Sequence, residues 1–121
     1  MPYIDLKIAR SLDLEGKNEL QRRIGDLMSL IPGKSAGNTM ICISDGCALY
    51  MGGEKIEGAF ADIRFYKPST PEAKKTFIEQ FNLLLKSDLD IEPDLIYMNI
   101  VELPGWGAKG GYNDKLPAPA G

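Results

Sequence analysis

The chain has 121 residues, 14 of them basic and 17 acidic, with a net charge of −3, two cysteines and no histidine. This length predicts one domain with a modest core, and the acidic balance offers nucleic acid no electrostatic footprint. No apolar run approaches a membrane span and the opening Met1-Pro2-Tyr3-Ile4-Asp5 is no signal peptide, so a cytoplasmic protein without membrane contact is expected.

The elements follow in chain order. Tyr3 to Ala9 alternates, with Ile4, Leu6 and Ile8 on one face and Tyr3, Asp5 and Lys7 on the other, which predicts a strand. Leu20, Ile24, Leu27, Met28 and Ile31 repeat at helical spacing, with Asp13 as a cap and Pro32-Gly33 as the stop. Asn38 to Ser44 reads as a second strand, and Ala48 to Met51 as a short one ending in the Gly52-Gly53 turn. The pattern then recurs. Ala59 to Tyr66 is a strand; Thr70 and Pro71 open a helix whose stripe is Phe77, Ile78, Phe81, Leu84 and Leu85; Leu95 to Glu102 is the closing strand.

Tandem strand–helix–strand units predict an α+β (α/β two-layer) domain over 1–121: a four-stranded mixed sheet with both helices on one face. Several strands carry apolar residues on both faces, Phe60 opposing Ala59, Ala61 and Ile63, for example. An uncovered apolar face is an association site, so an oligomer is expected.

The absence of histidine removes the commonest general base and zinc ligand. Cys42 and Cys47 form neither a disulfide framework nor a metal site. No metal or cofactor is expected. What remains is Pro2. Initiator methionine is normally trimmed before a small residue, which would leave Pro2 with a free secondary amine at the start of a rigid strand. An ordinary α-amino group titrates at about 7.7–8.0. An apolar pocket, to which Ile4 would contribute, and a nearby cation would bring a proline amine down toward neutrality, where a general base works best.

Met1-Pro2, Pro32-Gly33-Lys34, Met51-Gly52-Gly53 and the run Pro93-Asp94-Leu95-Ile96-Tyr97-Met98-Asn99 together resemble the tautomerase superfamily, in the branch typified by macrophage migration inhibitory factor. The resemblance implies a homotrimer with sheets facing inward and active sites between subunits. It also implies keto–enol tautomerisation of an α-keto acid such as phenylpyruvate, or of dopachrome. By the same resemblance Pro2 is the catalytic base and Lys34 the cation at the substrate carboxylate or enolate, with Tyr97 and Asn99 supplied by the adjacent subunit. Tyr66 stands where the family has an aliphatic wall residue, and Arg64 shares its face as a further substrate contact. The Cys-x-x-Cys pair of the vertebrate cytokine falls at Gly58 and Ala61, so a thiol oxidoreductase role has no residues behind it. A non-catalytic binding or signalling protein on the same trimer is the alternative. Dehalogenation or decarboxylation ranks lower, because Arg64 has no convincing second arginine beside it.

Gly105-Trp106-Gly107-Ala108-Lys109-Gly110 spells a dinucleotide-binding fingerprint. That motif needs a following helix to receive the phosphate, whereas Tyr112 to Gly121 contains two prolines. A flexible tail over about 105–121 is expected instead, with Trp106 able to dock over the site or a neighbouring subunit.

Overall fold

The computed structural model describes residues 1–114. Strand β1, Pro2–Ile8, leads to helix α1, Leu14–Asp26, where Asp13 Oδ1 accepts from Gly16 N at 2.7 Å. The apolar stripe continues past the α-helix. Leu27–Leu30 tightens into a 3-10 turn that keeps Met28 and Ile31 buried while directing the chain into Pro32-Gly33. A second short 3-10 turn, Ala36–Asn38, replaces the expected start of the next strand, so β2 is Met40–Ser44.

A small hairpin follows, β3 (Leu49–Met51) against β4 (Glu54–Ile56). Its two-residue loop, Gly52-Gly53, has φ of 60° and 83°, the left-handed pair that a tight hairpin requires. Strand β5, Ala59–Tyr66, then leads to α2, Pro71–Leu89. Thr70 Oγ1 accepts from Ala73 N at 3.1 Å, and Asp90 ends the helix in the left-handed conformation. The closing strand β6 is Ile96–Leu103.

The sheet order is β2-β1-β5-β6, with β1 parallel to β2, β5 parallel to β6, and β1 antiparallel to β5. It is the expected four-stranded mixed sheet with two helices. Ile4, Leu6 and Ile8 of β1 and Ala61, Ile63 and Phe65 of β5 meet Ile24, Phe77, Phe81 and Leu85 of the helices in one buried cluster. The Phe65, Phe77 and Phe81 rings pack edge to face, with centroids 6.1 and 5.7 Å apart. Among the described residues no helix is long and apolar enough to cross a membrane.

The tail expectation needs correction. Gly105–Ala108 (β7) and Gly111–Asp114 (β8) pair as a hairpin around Lys109-Gly110, whose φ values are 51° and 81°. The glycines that mimic a nucleotide motif serve this hairpin: Gly110 takes the turn, and a Cβ on Gly105 would run into the Tyr112 hydroxyl. Residues 115–121 of the expected tail lie outside the described residues.

Candidate active site

A parallel crossover brings the start of β1 beside the start of β2, and the register aligns Tyr3 with Met40. The antiparallel partner β5 runs the other way, so its end arrives at the same place. Pro2 faces Phe65, and Phe65 faces Glu102 of β6. Two strand starts and two strand ends therefore share one edge of the molecule, and a cleft of about 560 Å³ opens there. Met1, Pro2 and Tyr3 form one wall, Gly37 to Met40 another, and the β7–β8 hairpin closes it with Trp106 and Lys109.

Pro2 lies in this wall almost closed off from solvent, with Met1 in place and the Met1 carbonyl accepting from Tyr66 N at 3.3 Å. Lys34 arrives from the turn after the first helix. Its Nζ donates to the Tyr66 carbonyl at 3.3 Å and stands 4.9 Å from the Phe65 ring centroid. Pro2, Lys34 and Tyr66 are thus brought together within one chain. Burial lowers the pKa of the terminal amine on Met1, and the positive charges of Lys34 and Lys67 lower it further. The electrostatics at this end of β1 therefore favour a neutral amine.

Tyr66 is the hub of the edge. Its ring is 6.4 Å from that of Trp106, and the Lys67 ammonium sits 5.3 Å from its centroid. Glu102, nearby on β6, is held by Lys74 at 2.7 Å and by the Ser69 N–H. Burial pushes the Glu102 pKa up, but these two donors and the fields of Lys74 and Lys34 bring it below the usual glutamate range.

The other expected contacts lie elsewhere in the chain. Ile4 belongs to the helix-covered core rather than the cleft. Arg64 lies on the uncovered sheet face, 3.7 Å from Asp62. Tyr97 pairs with Phe60, well up the sheet from Pro2, and its hydroxyl is 3.9 Å from Met51 Sδ. Asn99 lines a separate groove with Lys74, Ile78 and Met98. Two features of this edge went unread in the sequence. The Gly37–Met40 wall follows from the parallel pairing of β1 and β2, and Lys67 was marked only by its place before Pro68.

The fold has close counterparts among solved structures. MIF2 of Leishmania major superposes with a TM-score of 0.84 at 18% identity, covering 93% of this chain and 97% of that one. Pt0534, solved after inactivation by 2-oxo-3-pentynoate, gives 0.79 at 17% identity, covering 90% and 93%. A fused 4-OT solved as a symmetric trimer gives 0.79 at 16%, covering 90% and 93%.

This is the tautomerase superfamily fold.

No family profile matches the chain, and no curated protein matches it in sequence. In this tautomerase fold the cleft at the start of β1 holds the amino terminus, and the deep face of the sheet on which Tyr97 and Asn99 stand is left open.

Proposed function

We propose that the protein is a keto–enol tautomerase whose general acid/base is the Pro2 amine, freed by removal of Met1. The observation that carries this reading is the amino terminus itself. Met1 and Pro2 lie in the wall of a 560 Å³ cleft, and burial with the charges of Lys34 and Lys67 lowers the pKa of the Met1 amine, one residue before the proline nitrogen. The tautomerase fold adds support.

With phenylenolpyruvate, the neutral amine takes the enol hydroxyl proton as negative charge grows on that oxygen. The resulting ammonium returns a proton to C3 as the carbonyl forms, so the amine ends as it began. Lys34 offsets the charge on the carboxylate or enolate, and Tyr66 with Trp106 forms an aromatic wall. Tyr97 and Asn99 stand too far from Pro2 along the sheet to act within one chain. In this reading they complete the site of an adjacent subunit in a homotrimer, the uncovered sheet faces turned inward. One structural neighbour, a fused 4-OT, is a symmetric trimer. We place the protein in the cytoplasm, with no cofactor, nucleic acid or membrane involved.

Turnover of phenylenolpyruvate by the native protein tests the reading, alongside Pro2→Gly and a form with an extended amino terminus. Loss of a positioned general base lowers kcat/KM by about 100-fold or more, and the extension is expected to be equally inactive. Full activity in both altered forms refutes the proline base. Below the usual α-amine range, kcat/KM should rise with pH as the amine loses its proton. A covalent test uses 2-oxo-3-pentynoate, which inactivates Pt0534. The amine would add at C4 across the triple bond, its proton ending on C3, so the Pro2 peptide gains the mass of one intact reagent. A chain that keeps Met1 has the cleft without the base, and in that form the binding-protein reading leads.

A further inference from the structure

Helix α1 carries a buried glycine, Gly25, one residue before its end at Asp26. Glycine is the weakest helix former after proline, and near helix ends it is favoured where the backbone turns left-handed. Gly25 makes no such turn. Its φ is not positive, unlike those of Gly33 and Gly110, and the chain continues into the 3-10 turn at Leu27–Leu30. What the position requires is space. A Cβ on Gly25 would stand 3.3 Å from Ala36 Cβ, 3.9 Å from Ala36 Cα and 4.0 Å from Ile41 Cδ1. The first of these is closer than the roughly 3.5–4.0 Å at which carbon atoms rest.

Ala36 opens the 3-10 turn Ala36–Asn38, and Gly37 to Met40 form a wall of the cleft. Among the described residues the hydrogen bonds of the turn are internal. Asn38 N and Thr39 Oγ1 donate to the Ser35 carbonyl at 3.2 and 2.7 Å, and Thr39 N donates to the Ala36 carbonyl at 3.1 Å. No side chain caps the turn at Ser35. These bonds shape the turn without placing it on the body of the protein. Two contacts place it: Met40 pairs with Tyr3 of β1, and Ala36 rests on the bare backbone of Gly25. Gly37, Asn38 and Thr39 span the interval between them.

We propose that Gly25 is a positioning residue for the active site: by letting Ala36 rest directly on α1, it fixes where the Gly37–Met40 wall stands and so how an enol substrate fits the cleft. This rests on the tautomerase reading above and deepens it. Gly25 itself touches no substrate. The wall that carries Pro2 is set separately, through the pairing of Pro2 with Phe65. The effect of Gly25 therefore falls on substrate fit and leaves proton transfer alone.

The test measures kcat and KM for phenylenolpyruvate in the native protein, in Gly25→Ala and in Gly25→Ala/Ala36→Gly. The amide NMR shifts of residues 37–40 and the urea midpoint are recorded for each. A Cβ at position 25 pushes Ala36 away by a few tenths of an ångström. Since a misplacement of about 1 Å costs about 100-fold, Gly25→Ala should raise KM roughly threefold to tenfold with kcat held. The amides of the wall should shift with it. The double variant moves the Cβ from one side of the contact to the other, so KM and the amide shifts should return toward the native values. A purely structural glycine predicts a changed urea midpoint with KM and the wall amides unmoved. That result, a loss confined to kcat, or a KM that stays raised in the double variant overturns the proposal and leaves the tautomerase reading standing. Absence of native turnover, together with no labelling of Pro2 by 2-oxo-3-pentynoate, brings down both.

Discussion

The two faces of the sheet are built from the same strands and have opposite fates. On the covered face, Ile4, Leu6, Ile8, Ala61, Ile63 and Phe65 have no solvent exposure. On the other, Met40 is 70% exposed, Phe60 40% and Tyr97 52%. The covered face is uniformly apolar, whereas the open one is ordered in rows. Cys42, Asp5, Asp62 and Asn99 align across all four strands, flanked by Met40–Tyr3–Arg64–Val101 and Ser44–Lys7–Phe60–Tyr97. Asp5 and Asp62 stand directly opposite, an unfavourable pairing. Each is answered along its own strand, by Lys7 at 3.2 Å and by Arg64 at 3.7 Å. Asp5 Oδ1 still has no hydrogen-bond partner. The lesson is that alternation along a strand can write a core and a contact surface at once, and polar residues in the second set its register.

The sharpest way to break this contrast is one substitution at two positions of β5. Ile63→Asp places an unpaired charge in the core and should cost more than about 4 kcal/mol, enough to unfold a marginal domain. Phe60→Asp, three residues earlier, should leave the folded chain's circular dichroism intact while the protein sediments as a smaller species. Equal loss of fold from both would mean that the faces are energetically alike.

A smaller effect is expected within the covered layer itself. Phe77→Ala removes a ring that contacts both Phe65 and Phe81 and should cost about 3–5 kcal/mol in urea unfolding. Thr70→Ala, which deletes the α2 cap, should cost only about 1 kcal/mol by the same measurement.

The smallest effect concerns pH. The Glu102 carboxyl is held below its usual range in the folded state, so the unfolded chain binds that proton more readily. The resulting stability is present above the unfolded pKa and fades as pH falls through the folded one. Glu102→Gln should therefore flatten the acid side of the stability profile, and an unchanged slope would show that Lys74 and Ser69 hold this carboxylate without consequence.

Much of the fold was legible in the sequence because its determinants are local. Period-two alternation marked β1 and β5, and the stripe of Phe77, Phe81 and Leu85 marked α2. Asp13 and Thr70 announced the helix starts through their own side-chain oxygens. The limits of β2 were less legible, since the 3-10 turn at Ala36–Asn38 carries no periodic signal. The β7–β8 hairpin was hidden because Gly105 to Gly110 reads equally as a loose segment until Tyr112 is packed against Gly105. Of the site, Pro2 opens β1 in the cleft wall and Lys34 reaches the Tyr66 carbonyl at the end of β5. The placement of Arg64, Tyr97 and Asn99 on the open face is a property of the sheet.

By itself the sequence determined which segments are strands and helices, which face of each is apolar, and that a proline begins the first strand. These follow from side-chain periodicity and capping chemistry within a few residues. The tertiary structure decided that the starts of β1 and β2 and the ends of β5 and β6 share one edge, where Pro2 and Trp106 line a cleft and Lys34 and Lys67 gather on Tyr66 beside it. That outcome depends on the strand order β2-β1-β5-β6, which is set by contacts between residues far apart in the chain and is written in no single segment.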